Sequence, residues 1–308
     1  MKLQQLRYLS EIVQQDLNLS RAAKNLYTSQ PGISKQIRML EEELGVDIFI
    51  RNGKRVVKIT PPGEMILTIA ERIIRDIDNL KKVGQEFTDE SGGTLTIATT
   101  HTQARYALPS VIKCFTKRYP KVKLILRQGN PTQIAALVTS GEADIAIATE
   151  AIELFHELVM LPCYEWNRCV IVPPNHPLLR LKRLTLTSIS QYPIITYDFA
   201  FTGRSKINQA FEKLGLTPNV VLTAIDSDVI KTYVELELGI GILAKMAFEP
   251  KRDKHLRSID ASHLFEPSTT RIGISRNSYL RSYIFDFIEM FAPHLDKTTV
   301  AAAMKNHQ

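Results

Sequence analysis

Gln30, Ser34, Lys35 and Arg38 fall at i, i+4, i+5 and i+8, on one face of a helix. Glutamine and arginine can each bond a base edge through two hydrogen bonds, while serine and lysine reach bases or phosphates. Ile33, Ile37, Leu40 and Leu44 recur at i, i+4, i+7 and i+11 and make the opposite, apolar stripe. Thr28 or Ser29 can cap this helix, and Pro31 occupies its first turn, where a missing N–H costs nothing. The segment before it offers Ala22, Ala23 and Leu26, small enough for two helices to cross closely. A polar stripe alone would equally suit the solvated side of a helical hairpin. The adjoining residues decide otherwise: two apolar runs, Val46–Ile50 and Val56–Ile59, flank Asn52-Gly53, a strong hairpin signal. The hairpin carries Arg51, Lys54, Arg55 and Lys58, suited to phosphates. A winged helix-turn-helix is expected, with Gln30, Pro31, Ser34, Lys35 and Arg38 entering a DNA groove and Arg51, Lys54 and Arg55 on the backbone.

A second group of residues suits a small anion. Thr100, Thr102 and Gln103 follow the strand-like run Thr94–Thr99, Thr149 follows Ala143–Ala148, and Thr202 opens a helix after Ile194–Tyr197. Hydroxyls and an amide beside helix N-termini can hold an oxyanion, because unpaired N–H groups and the helix dipole point at it. Any one of these threonines could simply cap a helix. His101 could act as a general base, but a hydrogen-bonding ring in the cleft wall is the better reading.

The elements that must position these groups follow from the periodicity. Strands at 94–99, 122–126 and 143–148 alternate with helices at 103–118 and 132–140, a βαβαβ unit with a parallel sheet. A second unit has strands near 169–172, 194–197, 220–223 and 240–242, and a strand at 271–274 precedes a final helix. The fold class is α/β. Ligands of such paired units bind outside the carboxyl ends of the strands, where all three threonine segments lie. Between the winged helix and these units, Ile66, Ile73, Leu80 and Phe87 fall seven residues apart behind a Thr60 cap and Pro61. That is a coiled-coil period and predicts a long helix pairing two copies of the chain.

The expected boundaries are 1–60 for the DNA-binding domain, 61–90 for the linker helix, 91–162 with 267–292 for one effector subdomain, 163–266 for the other, and 293–308 for a polar, disordered tail. A net charge of +7 and a pI near 9.2 favour a polyanionic partner. No apolar run reaches the eighteen residues of a membrane span, and no signal-peptide core opens the chain, so a cytoplasmic location is expected. Cys114, Cys163 and Cys169 lack zinc or redox spacing and read as buried reduced thiols. No nucleophile elbow, phosphate loop or metal-ligand cluster is present, so neither a catalytic residue nor a metal or cofactor is expected.

Leu3-x-x-Leu6-x-Tyr8, Ser20-Arg21-Ala22-Ala23, Ser29-Gln30-Pro31-x-Ile33-Ser34, Leu40-Glu41-x-Glu43-Leu44-Gly45 and Phe49-x-Arg51 together resemble the DNA-binding domain of LysR-type transcriptional regulators. Thr100–Tyr106, Gly129-Asn130-Pro131, Gly141–Ile145 and Tyr197-x-x-x-Phe201-Thr202-Gly203-Arg204 narrow the resemblance to the CysB-type branch, which governs sulfur assimilation and cysteine biosynthesis. The resemblance implies a periplasmic-binding-protein-like effector domain and an effector held at Thr100, Thr102, Gln103, Thr149 and Thr202, with Trp166 lining the cavity. It further implies an acetylated serine as inducer, sulfate or thiosulfate as the opposing signal, double-stranded DNA and RNA polymerase as partners, and a homodimer or homotetramer. A sister branch that controls sulfonate use shares most of this pattern.

Overall fold

The structure is a computed structural model of the 308-residue chain; it describes every residue except 54, 89–91, 150–154, 156, 199–201 and 306–308, and omits the side chains of 85, 88, 202 and 203. The chain divides into two compact units, Met1–Gly84 and Gln85–Gln308.

The first unit is a three-helix core with a hairpin. Helix α1 (Leu3–Gln14) buries Leu6, Leu9 and Ile12 against Ala22 and Ala23 of α2 (Leu19–Asn25) and Ile33, Ile37 and Leu40 of α3 (Gln30–Leu44). Local chemistry sets the helix ends. Asn18 caps α2 by accepting from the Ser20 and Arg21 amides, and Ser29, rather than Thr28, caps α3 through Gly32 N–H at 3.2 Å. Gly45, at φ +70°, closes α3 in the left-handed conformation that glycine adopts without strain. Strands β1 (Phe49–Asn52) and β2 (Arg55–Ile59) pair antiparallel, Asn52 opposite Arg55.

Helix α4 (Pro61–Thr88) starts at Thr60, whose hydroxyl accepts from Gly63 N–H and donates to Asp47 O. A Cβ on Gly63 would lie 2.3 Å from Ile48 O, so only glycine allows this close approach. The heptad seam read from the sequence is divided by the structure. Ile66 and Ile73 pack, with Leu67 and Ile74, on the core of their own unit, while Met65, Ile69, Leu80 (71% exposed) and Phe87 (82%) face outward. The period is real, but its first half serves the winged-helix core.

The second unit contains two five-stranded sheets, each the centre of one lobe. In the first lobe β3 (Gly92–Thr99) runs parallel to β4 (Lys121–Gln128) and β5 (Ile145–Ala148), as expected. The sheet is completed by β6 (Leu158–Trp166) and β12 (Ser268–Ser275), which are antiparallel, in the order β4-β3-β5-β12-β6. Because β6 continues to Trp166, the chain leaves this lobe at Asn167, later than the expected boundary at 162. In the second lobe β8 (Ile194–Tyr197) lies parallel to β9 (Val220–Ala224) and β10 (Ile240–Ala244). Strands β7 (Arg168–Val172) and β11 (Arg257–Asp260) add antiparallel, giving the order β11-β7-β10-β8-β9.

Helices α5 (Leu108–Arg118) and α6 (Pro131–Thr139) cover the first sheet; α7 (Leu186–Ile189), α8 (Thr202–Glu212) and α9 (Ser227–Glu235) serve the second. The segment read as one helix over 103–118 is in fact a π-helical turn, Gln103–Ala107, followed by α5. Helix α10 (Ser282–Phe291) returns to the first lobe. The tail expected to be disordered forms α11 (Lys297–Lys305): Val300 is fully buried, with Ala303 and Met304 packed on the same core. Those three positions share a helix face, which a reading of overall polarity missed. Cys163 and Cys169 are buried as expected and burial pushes their thiols up to about 12 and about 11, but Cys114 on α5 is exposed.

Candidate functional site

On α3 the structure sets Pro31, Lys35 and Arg38 in solvent, with Gln30 and Ser34 half-exposed beside them. Ile33, Ile37 and Leu40 fix the opposite face in the core. The five expected DNA-facing residues therefore share one accessible helix side. Tyr27, just before this helix, is 98% exposed at φ +51°. It lies outside the expected DNA-facing set; an aromatic in the turn ahead of a capped helix is the signal the sequence offers for it.

The hairpin behaves less uniformly. Arg55 is exposed, and Lys54 lies outside the described residues. Arg51 instead forms a two-armed bridge to Glu41 on α3, Nη1 to Oε1 at 3.1 Å and Nη2 to Oε2 at 2.7 Å. Glu41 Oε1 also accepts from Ile48 and Phe49 N–H at 2.9 and 3.1 Å. The carboxylate thus joins the end of α3 to the first strand, and the Arg51 guanidinium is committed to it.

In the second unit Thr100 and Thr102 follow β3 and Thr149 follows its neighbour β5, so all three stand at adjacent carboxyl ends of parallel strands. Thr100 and Thr149 are buried, and Gln103 is 1% exposed. The Gln103 amide is braced by the crossing strands: Nε2 donates to Thr270 Oγ1 at 3.1 Å, and Tyr164 OH donates to Oε1. Trp166, at the end of β6, is half-buried, and its enclosed Nε1–H has no hydrogen-bond partner among the described residues. An enclosed donor of this kind costs free energy unless a ligand or water accepts from it. Behind the ring, the Arg168 guanidinium lies 5.1 Å from its centroid and donates to Glu266 O and Ser268 Oγ at 2.8 and 2.7 Å. Arg168 therefore ties the two inter-lobe crossings together.

From the second lobe, Thr202 stands at the start of α8, with its side chain outside the described residues. Thr102 meets Ser227, the first residue of α9, with the two hydroxyl oxygens 3.4 Å apart. Tyr197 OH lies 2.8 Å from Ser227 Oγ and accepts from Ala244 N–H at 3.2 Å. Burial pushes the Tyr197 phenol above its ordinary value, so it stays protonated. Ser227 lies outside the expected site residues, and Tyr197 enters the sequence reading only as part of a family motif; the Asp226-Ser227-Asp228 capping pattern is legible, but its position across the cleft is not.

His101, Asp226 and Asp228 present ligand atoms within 4.8 Å of one another. Asp226 accepts from Val229 N–H as the cap of α9, and Asp228 is already paired with Arg105 and Lys231. Two fixed cations beside these carboxylates favour an ion-pair cluster over a metal centre. His101 has no nucleophile aligned with it in the described contacts, and its enclosed Nδ1 has no hydrogen-bond partner among the described residues.

Residues 3–64 match the family model described as bacterial regulatory helix-turn-helix protein, lysR family, and residues 88–296 match the LysR substrate binding domain. The chain is similar to the HTH-type transcriptional regulator SsuR of Burkholderia cenocepacia, 54% identical over 99% of each chain. It is 53% identical to the regulator CysB of the same organism, over 99% of this chain and 97% of that one. Among solved structures, the cofactor-binding domain of the Cbl transcriptional regulator matches 70% of this chain and 95% of its own length, at TM-score 0.68 and 44% identity. These relatives are transcriptional regulators, not enzymes. Among the described residues no helix is long and apolar enough to cross a membrane.

Proposed function

Because the chain belongs to the LysR family of bacterial DNA-binding transcriptional regulators, we propose that it controls sulfur-acquisition genes in response to a small anion held between its two lobes. In this reading an acetylated serine induces, sulfate or thiosulfate opposes, and the genes activated serve cysteine biosynthesis and sulfate assimilation. The protein acts in the cytoplasm on double-stranded DNA together with RNA polymerase, as a homodimer or homotetramer joined through α4. Gln30, Ser34, Lys35 and Arg38 choose sequence, and Arg55 and Lys54 contribute phosphate affinity.

The observation that carries the effector reading is the cleft chemistry. Thr100, Thr102 and Thr149 are neutral donors at adjacent strand ends, and the Trp166 Nε1–H is enclosed with no acceptor among the described residues. An oxyanion accepts readily from hydroxyl and indole donors, and each hydrogen bond to a charged group is worth about 1.5–3 kcal/mol. A regulator of sulfonate use is the second reading, favoured by the near-equal identity to SsuR and CysB, 54% and 53%.

Trp166 is the chain's single tryptophan, so its fluorescence reports on the cleft directly. Titration with sulfate, thiosulfate, an acetylated serine and an aliphatic sulfonate should give saturable changes with one or more of them. Thr102→Val, which keeps the shape, should weaken binding about tenfold. A flat titration with all four, or full affinity in Thr102→Val, removes the effector assignment. Ligand-dependent retardation of promoter fragments then separates the sulfate and sulfonate branches.

A further inference from the structure

The two lobes are joined by a second set of contacts beside the cleft, made by residues without a role in holding the anion. Arg105 and Tyr106 lie on the π-helical turn of the first lobe; Asp228 and Lys231 lie on α9 of the second. Tyr106 OH donates to Asp228 Oδ1 at 2.7 Å, and Arg105 Nε stands 2.6 Å from Asp228 Oδ2. Lys231 Nζ donates to Tyr106 OH at 2.9 Å and pairs with Asp228 at 3.0 Å. Lys231 is itself fixed by Ala247 O at 3.0 Å and Asp253 at 3.1 Å, and is buried. The carboxylates of Asp228 and Asp253 face the cations of Arg105 and Lys231, so these four charges balance and are paired.

Position gives this cluster a consequence for the ligand. The π-helical turn that carries Tyr106 also carries Gln103, and Thr102 immediately precedes it. On the other side, α9 presents Ser227 to Thr102 and Asp228 to Tyr106 from consecutive positions, and Asp226 locks that end by capping Val229 N–H at 2.8 Å. Each side is one rigid piece, so the lobes cannot part at the bridge without also separating Thr102 from Ser227.

We propose that Tyr106 and Asp228 are positioning residues for the effector: their bridge holds the lobes in the arrangement that brings Thr102 to Ser227, and so sets how long a bound anion stays. This rests on the cleft being the effector site. Recognition stays with the threonines and Trp166, while the bridge governs opening. A closed ligand-free state admits ligand only in the fraction of time it is open, so loosening the bridge speeds release and, to the extent that the free protein is closed, entry as well.

The test uses the full chain and two variants, Tyr106→Phe, which keeps the ring over Lys231, and Asp228→Asn. Stopped-flow Trp166 fluorescence with sodium sulfate and with an acetylated serine should show release about tenfold faster in Tyr106→Phe, the size expected for one hydrogen bond to a charged acceptor. The association rate should be unchanged or higher, and the order of preference between the two probes unchanged. A folding defect would lower the active fraction and leave both rate constants alone. Without any ligand, hydrogen exchange should quicken in peptides covering 103–107 and 226–231 and stay as in wild type over 30–44. Wild-type release in both variants, or wild-type exchange in both segments, overturns the proposal. If wild type binds neither these probes nor thiosulfate or an aliphatic sulfonate, the effector reading fails and the exchange measurement still decides whether the bridge holds the lobes.

Discussion

Replacing Glu41 by alanine should be among the most damaging single changes in the DNA-binding unit, although Glu41 lies on the apolar side of α3 and away from the solvent-facing stripe. Its side chain is 7% exposed and serves two backbone amides and both arms of Arg51. Alanine leaves the Ile48 and Phe49 N–H groups and a largely covered guanidinium without their acceptor. Removing one partner of a buried charge pair costs about 3–5 kcal/mol, roughly a third or more of the ~5–15 kcal/mol that holds a domain together. Glu41→Gln keeps an oxygen for the two amides and loses only the charge, so about 1–2 kcal/mol is expected. Arg51→Met leaves the carboxylate held by both amides and should also cost about 1–2 kcal/mol. Urea unfolding of the full chain separates the units, because Trp166 fluorescence reports only the second and far-UV circular dichroism includes the helices of the first. The Glu41→Ala transition should shift in the dichroism signal and not in the fluorescence. Equal midpoints for Glu41→Ala and Glu41→Gln would refute this account. So would a loss of about one unit of salt dependence of DNA binding in Arg51→Met, the signature of a phosphate contact.

Gln30→Ala should cost about 1–3 kcal/mol on a specific promoter and far less on random duplex, measured by fluorescence anisotropy at fixed salt; an equal loss on both would remove α3 from sequence reading. On α4 the two halves of the seam should respond differently. Leu80→Lys, on the exposed side, should reduce the oligomer mass seen by light scattering with the monomer still folded, whereas Ile73→Lys should lower the unfolding midpoint of the first unit itself. The same behaviour from both variants would contradict the division of the helix. Glu86 accepts from Arg281 Nε at 2.9 Å and Ser282 N–H at 3.1 Å. Burial raises its pKa, but the hydrogen bonds from Ser282 and Arg281 outweigh it and hold the carboxyl below its ordinary value of 4.5. A depressed folded pKa stabilises fully above the unfolded value and is lost as pH falls through the folded one. The stability gap between wild type and Glu86→Gln, read by Trp166 fluorescence on heating, should therefore be constant from pH 7 to about 5 and close below 4.5; a gap that widens on acidification would show the sign to be wrong.

The sequence by itself determined what depends on near neighbours along the chain. The Ser29 cap, Pro31 and the Ile33–Ile37–Leu40 stripe define α3, and Asn52-Gly53 defines the hairpin, because capping, turn geometry and helical period are decided within a few residues. The strands ending at Thr99 and Ala148 were legible for the same reason, and with them the placing of Thr100, Thr102 and Thr149 at a common sheet end. Only the tertiary structure decided which partner each side chain meets. It took Ile66 and Ile73 into the core of their own unit, gave Arg51 to Glu41, and packed Val300 where overall polarity had suggested disorder. It also brought Ser227 to Thr102 across 125 positions of sequence and Tyr106 to Asp228 across 122. A spacing pattern states that a residue lies on an apolar or polar face; it does not state what covers that face. Burial and pairing are properties of the packed chain, and they decided which of these groups stay in solvent, which line the cleft, and which build the scaffold.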